Sequence, residues 1–371
     1  MKMTFISNNW ADAHQQTRLK ALIKSGIHVD CVAVSRNYYP ISSEIEPHRI
    51  GKVDHASYTK RLRTYILLLY KLIKNFKSNQ LIYVYGFDLA LVVLIFKMVS
   101  RRKTGVIYEV PDIREILFSP DIRGKLIRYI EKLTIPKIDL IIATSPEFIS
   151  EYFVKMRKIG IPDFRIIENK IHKDQLPGDS KCQPQIVSTK IKIGYFGVLR
   201  CTASLNCLIL LADKNQFEII LHGIFMPATS DFEKRISNLE NIRYLGPYRV
   251  PEDLSKIYNE VDIVWASYPF SENKFGNHLW ARTNRFYESL FFPKPVILQK
   301  ETADAKRAKT FGNIAIEIDL KDIHQVVSQL CSLINSDYLS SARKLLDNIP
   351  EHHYLITTEY ENLSTCLKEK T

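Results

Sequence analysis

Asn284-Arg285-Phe286-Tyr287-Glu288, running on through SLFFPKPVILQ (289–299), joins a short amphipathic helix to an apolar strand. The helix carries one carboxylate and ends at a pair of prolines around Lys294. Asn284 is expected to start this helix. Glu288, four residues on, then lies on the same side, about 6 Å farther along the axis. Backbone N–H groups at such a start are suited to phosphate. A carboxylate one turn in accepts the two hydroxyls of a ribose. The plainer reading of Glu288 is a charge matched to the helix dipole.

Working outward, the same strand-and-helix rhythm fills the chain. Apolar strands are expected at 3–7, 28–34, 81–86, 105–110, 140–145 and 164–169. Helices are expected at 14–26, 58–76, 88–101 and 119–135. Strands alternating with helices of this length predict a parallel sheet covered on both faces. A polar segment near 172–190 interrupts the pattern. It then restarts with strands at 191–197, 217–223, 242–247, 262–268, 295–300 and 313–318, and a helical region over 322–367 broken near Pro350. The expected fold class is α/β: two doubly wound, Rossmann-like parallel-sheet domains facing a central cleft. Residues 1–185 would bind an acceptor and 186–345 a nucleotide sugar. Residues 346–371 would form a helical tail returning towards the first domain.

Composition narrows the partners. With 371 residues and 46% hydrophobic content, the chain can bury two cores. Its 52 basic against 40 acidic residues give a net charge of +12, which favours anionic partners. Nucleic acid is not expected, because the aromatics sit in core-like strands and not among the basic runs. Basic residues Lys60, Arg61, Arg63, Lys71, Lys74 and Lys77 border TYILLLY, and Arg101-Arg102-Lys103 follows LALVVLIFKMV. That pattern suits a helix touching an anionic membrane surface, or a helix packed on its own sheet with solvated lysines. No stretch of eighteen apolar residues and no signal peptide is read, so the chain is expected in the cytoplasm, peripheral on the inner membrane face. The six cysteines are scattered, and no metal site is expected.

Candidate site residues follow from strand ends. In the first half, Asn8, Asn9, Asp12, His14 and Arg18 follow the first strand, without a GxGxxG fingerprint. They read as helix capping by Asp12, or as polar recognition of a sugar or lipid phosphate. Glu109 and Asp112 come at and just beyond a strand end, where a carboxylate serves as a base or stabilises charge on a sugar carbon. Either one equally caps a helix or pairs with Arg114. In the second half, Gly194 and Gly197 would let the backbone approach a ligand, and Arg200 would neutralise a diphosphate. His222 and Gly223 come to the next strand end. Gly246 and Tyr248 would bracket a nucleobase. The loop 269–276 is expected to close over a donor sugar.

GYFGVLR (194–200) and NRFYESLFFPKPVI (284–297), within this two-lobed pattern, resemble the GT-B glycosyltransferases, particularly the family-4-like bacterial enzymes of polysaccharide assembly. Their second-lobe element, N-K-x-x-E followed by G-K-P-V-I, maps onto Asn284, Arg285, Glu288, Lys294, Pro295, Val296 and Ile297. The resemblance implies a metal-independent transferase with Glu288 on the nucleotide ribose. The donor would be a UDP- or GDP-sugar and the acceptor a glycan or a polyprenyl-diphosphate-linked sugar. Pro293 replaces the usual glycine, and Trp280 stands where relatives carry an earlier glutamate. Two other readings stay open: a non-hydrolysing sugar-nucleotide epimerase, and a non-catalytic subunit that binds nucleotide sugar or glycan.

Overall fold

The computed structural model describes residues 1–10, 12–35, 45–52, 58–76, 80–172, 176, 189–268 and 276–370. The expected boundary at 185/186, Lys77 and the donor-covering loop at 269–275 lie outside them. Two compact units form: Met1–Glu168 with Thr357–Thr371, and Asn169–Ile356.

The first unit is built from β1 (Lys2–Ser7), α1 (Ala13–Lys24), β2 (His28–Ser35), β3 (His48–Lys52), α2 (Tyr58–Asn75), β4 (Gln80–Tyr85), α3 (Phe87–Ser100), β5 (Thr104–Val110), α4 (Ile122–Thr134), β6 (Leu140–Ala143), a π-helix (Phe148–Met156) and β7 (Phe164–Ile166). A C-terminal helix, Glu359–Glu369, belongs to the same unit. The strands form one parallel sheet ordered β3-β2-β1-β4-β5-β6-β7. Its central strands are buried on both faces: Met3, Phe5, Ile6, Ile82, Tyr83, Val84, Val106 and Ile107 are all fully enclosed. That is why they read as unbroken apolar runs.

The second unit repeats the plan with β8 (Ile191–Leu199), α5 (Thr202–Ala212), β9 (Phe217–Phe225), α6 (Asp231–Ile236), β10 (Ile242–Tyr244), α7 (Leu254–Asn259), β11 (Ile263–Trp265), α8 (Asn277–Trp280), α9 (Asn284–Phe291), β12 (Val296–Gln299), α10 (Ala303–Lys309), β13 (Ala315–Ile318), α11 (Ile323–Leu333) and α12 (Ser336–Asp347). Its parallel sheet is ordered β10-β9-β8-β11-β12-β13. Ile193, Tyr195, Phe217, Ile219 and Trp265 pack one face against α5 and α11, while Phe196, Ile220, Tyr258, Val264 and Phe292 pack the other.

Two sequence expectations change. β8 and β9 each run two residues farther than expected, so Gly197 and His222 lie inside strands rather than at their ends. The edge strand β3, HRIGK, was not anticipated, because a polar strand paired on one side carries no apolar run.

Candidate functional site

In a sheet of order β10-β9-β8-β11-β12-β13, the chain leaves β8 towards one edge and β11 towards the other. The two connections diverge beyond the carboxyl ends of these neighbouring strands and open a crevice, where ligands of such sheets bind. β8 delivers Arg200 to that end, and the chain beyond β11 delivers Tyr268.

Tyr268 organises two cations. The Arg285 guanidinium, from the first turn of α9, donates to the Tyr268 hydroxyl and to the Phe196 carbonyl, and lies 5.0 Å from the Tyr268 ring centre. The Arg200 guanidinium lies 5.7 Å from the same ring. His278 stacks on Tyr268 at 4.6 Å and 16°. The Arg200 Nη2 donates to His278 Nε2 at 3.2 Å, which puts the imidazole proton on Nδ1. Nδ1 and the Arg285 Nε are enclosed with no partner among the described residues. Among those residues, neither Arg200 nor Arg285 is ion-paired with a carboxylate. Arg285, partly buried and held by neutral groups, lacks the counter-charge that would offset its desolvation, and Arg200 stands exposed against the same ring. An anion placed there supplies it.

Two facing glycines make the arrangement possible. Gly197 has φ +98°, and a Cβ there would meet Arg285 Nη1 at 2.7 Å. Gly223, in register beside it at φ +139°, would place a Cβ 1.7 Å from the Gly197 carbonyl oxygen. Gly194 differs from its expected role: a Cβ would strike the Phe196 ring at 2.4 Å, so this glycine serves packing.

His278 carries a testable consequence. Burial, with Arg200 and Arg285 close by, pushes its pKa from the ordinary 6.5 down to about 3. The unfolded chain therefore takes up a proton that the native state refuses. The stability tied to neutral His278 is complete above pH 6.5 and is lost as pH falls towards about 3. His278→Gln keeps an acceptor for Arg200 without titrating. Its melting temperature should fall less steeply with acid across that window. Parallel acid limbs for the two proteins would contradict the assignment.

Beside this cluster, Tyr258 donates to Glu288 Oε2 at 2.6 Å, with both side chains buried. Phe196 meets Tyr258 edge-on at 5.2 Å and His222 at 5.9 Å, and His222 meets Tyr248 at 6.2 Å. The His222 Nε2 lies 3.4 Å from Glu260 Oε2. Burial nevertheless holds the His222 pKa below its ordinary value. Asn284 is the first helical residue of α9, and the cap is Thr283, whose Oγ1 accepts from the Phe286 N–H at 3.3 Å. Thr283 is itself fixed by Asp304, to which its N–H and hydroxyl donate at 3.1 and 2.7 Å. Sequence reading missed Tyr268, Thr283 and His278. Only Thr283 had a local signal, a hydroxyl residue directly before an amphipathic helix.

The first unit places its predicted residues differently. Glu109 is fully buried. Arg18 Nε donates to both of its oxygens at 3.0 Å, Arg18 Nη2 to Oε1 at 2.6 Å, and Tyr85 to Oε1 at 2.8 Å. The Tyr83 hydroxyl donates to Oε2. Arg18 also donates to the Tyr360 hydroxyl of the C-terminal helix at 2.7 Å. The expected open base is thus an enclosed ion pair, and Arg18 faces inward, away from its expected neighbours. Asp12 caps α1, accepting from the N–H groups of His14 and Gln15 at 3.0 and 3.2 Å. His14 and Asp112 are exposed. Arg114 pairs with Asp88 instead of Asp112, and Tyr65 donates to Asp88 at 2.5 Å. Burial pushes the Asp88 pKa up, but Arg114 and the Tyr65 hydroxyl together outweigh it and keep the carboxyl below the usual range. Among the described residues, no group of three or more His, Cys, Asp or Glu could hold a metal ion.

No protein-family model matches the chain. The succinoglycan biosynthesis protein ExoL of Rhizobium meliloti (strain 1021) is 27% identical over 361 residues, covering 93% of this chain and 88% of that protein. Among solved structures, sucrose-phosphate synthase from Thermosynechococcus elongatus superposes with a TM-score of 0.73 at 13% identity, over 100% of this chain and 98% of its own. Anabaena HepE in complex with UDP-glucose gives 0.68 at 13% identity, with complete coverage of both chains. WaaG, a glycosyltransferase involved in lipopolysaccharide biosynthesis, gives 0.65 at 12% identity, over 98% of this chain and 99% of its own. These likenesses establish the fold: two Rossmann-like parallel-sheet domains of the GT-B glycosyltransferase architecture.

Proposed function

We propose that this GT-B chain is a metal-independent, family-4-like glycosyltransferase. It would move a sugar from a UDP- or GDP-sugar to a glycan or polyprenyl-diphosphate-linked acceptor in bacterial surface polysaccharide synthesis. The observation that carries this reading is the crevice between β8 and β11, where Arg200 and Arg285 stand around Tyr268 without a carboxylate partner. A diphosphate supplies the missing negative charge. Its charge grows as the bond to the sugar breaks, so two fixed guanidinia stabilise the transition state more than the bound donor. The ExoL relative, described as a succinoglycan biosynthesis protein, and the UDP-glucose complex of HepE favour the same substrate class.

In this reaction the bond between the anomeric carbon and the diphosphate oxygen breaks, and a bond to an acceptor hydroxyl forms. The hydroxyl proton leaves to a base. The first unit would bind the acceptor. Of the two carboxylates at the end of β5, exposed Asp112 is the one open to it, since Glu109 is enclosed. In the second unit, Tyr248 and His222 would flank the base, and Glu288, steadied by Tyr258, would hold the ribose.

Glu288→Gln should raise the dissociation constant of the nucleotide donor about tenfold, the scale of one lost charge-assisted hydrogen bond. It should also erase any preference for the ribonucleotide over its 2′-deoxy form. Unchanged affinity and preference in titration calorimetry would remove Glu288 from the ribose. The whole reading is tested by incubating the full chain with UDP- and GDP-sugars and a lipid-linked acceptor. The expected product is the acceptor heavier by one glycosyl residue. A non-catalytic subunit, the reading favoured by Trp280 at the position of the earlier glutamate, would bind donor and form no product.

A further inference from the structure

Arg200 is exposed, and a long exposed arginine ordinarily samples many rotamers. Ordering such a side chain when a ligand arrives takes free energy away from binding. Here two neighbours hold it beforehand. Its guanidinium lies 5.7 Å from the Tyr268 ring centre, and its Nη2 donates to His278 Nε2 at 3.2 Å. The nature of the second neighbour matters. A carboxylate in the place of His278 would hold the guanidinium more firmly, but would cancel the charge that a diphosphate needs. A neutral imidazole accepts the same hydrogen bond and leaves that charge whole. We infer that His278 is a positioning residue, a neutral acceptor that holds Arg200 over Tyr268 in readiness for the donor diphosphate. The inference rests on the diphosphate reading of the β8–β11 crevice and adds to it the residue that orders its exposed cation.

The surroundings fit His278 for this role. Its ring stacks on Tyr268 at 4.6 Å and 16°, so packing aims the acceptor nitrogen. The short helix α8 that carries it ends in the buried Trp280 and packs against α10. Burial, then Arg200 and Arg285, keeps the imidazole neutral. Among the described residues those two guanidinia are the charged groups close to it, and the Tyr268 hydroxyl, which accepts from Arg285, is the titratable one. A protonated ring has no lone pair left for Arg200. The arrangement sustains itself: the two cations help to keep the histidine neutral, and the neutral histidine holds one of them.

The test combines ligand titration with nuclear magnetic resonance of the full chain. His278→Phe keeps a flat ring on Tyr268 and removes the acceptor, whereas His278→Gln keeps an acceptor. Arg200→Met should weaken binding of UDP or GDP about tenfold, the scale of one charge-assisted hydrogen bond. His278→Phe should weaken it about threefold, the scale of ordering one long side chain, and should cost nothing further once Arg200 is methionine. His278→Gln should recover most of that loss. A residue that merely packs would weaken binding equally with or without Arg200. Native affinity in His278→Phe, or additive losses in the double variant, would overturn the inference. The contact itself is read without any ligand from the nitrogen resonances of labelled histidine. His278 should stay neutral, with its proton on Nδ1, down to about pH 4. Arg200→Met, at an exposed position on which the fold does not depend, should raise its pKa. An unchanged His278 titration, or a proton on Nε2, would contradict the contact. If neither nucleotide binds the native chain, the crevice reading falls, and with it the purpose assigned to His278, while the resonances still decide whether it holds Arg200.

Discussion

Arg285→Met should abolish measurable binding of nucleoside diphosphates while leaving the empty protein as stable as the native chain, or more so. Truncating one member of a close buried charge pair costs about 2–5 kcal/mol, which weakens affinity about thirtyfold or more. The stability side follows from what Arg285 touches. Its partners are the Phe196 carbonyl and the Tyr268 hydroxyl, and no carboxylate is orphaned when it leaves. Methionine retains most of the apolar stem beside Tyr268 and removes a charge that the fold itself does not neutralise. Calorimetric titration with UDP and GDP, paired with a melting curve, checks both halves. Loss of stability together with binding would make Arg285 a structural residue and remove the main support for the diphosphate site.

Glu109→Leu should have the opposite signature. It leaves the Arg18 guanidinium buried with only the Tyr360 hydroxyl and the Ile167 carbonyl as partners among the described residues. Breaking a buried pair by removing one member costs about 3–5 kcal/mol, because the remaining charge is uncompensated. The first unit should lose that much stability, seen as faster hydrogen exchange in β1, β4 and β5. Adding Arg18→Met should restore the part due to the uncompensated charge, while the part due to the Tyr83 and Tyr85 hydroxyls, which lose Glu109 as acceptor, should persist. Additive losses in the double variant would contradict the ion-pair account.

These two arginines show where sequence reading succeeds and where it stops. The alternation of apolar runs and helical periods was enough for two parallel-sheet units, because strands buried on both faces must be apolar throughout. Asp12 as a cap and Arg200 just past the end of β8 were also legible, since both depend on neighbours in sequence. β3 was invisible, because HRIGK has no apolar pattern. The π-helix was invisible for another reason: Phe148, Ile149, Tyr152 and Phe153 fit ordinary helical spacing. Glu109 looked like an open base because its partner, Arg18, is 91 residues away. Tyr268 and His278 acquire meaning only when three separate segments converge on Arg200 and Arg285.

The central claim is that the β8–β11 crevice of the second unit binds a nucleoside diphosphate sugar. Its most direct test is calorimetric titration of the full chain with a panel of UDP- and GDP-sugars, repeated with Arg285→Met. One donor class should bind saturably, one per chain, and the variant should not bind it. If the native chain binds none of the panel, or the variant binds as tightly as the native chain, the claim is wrong.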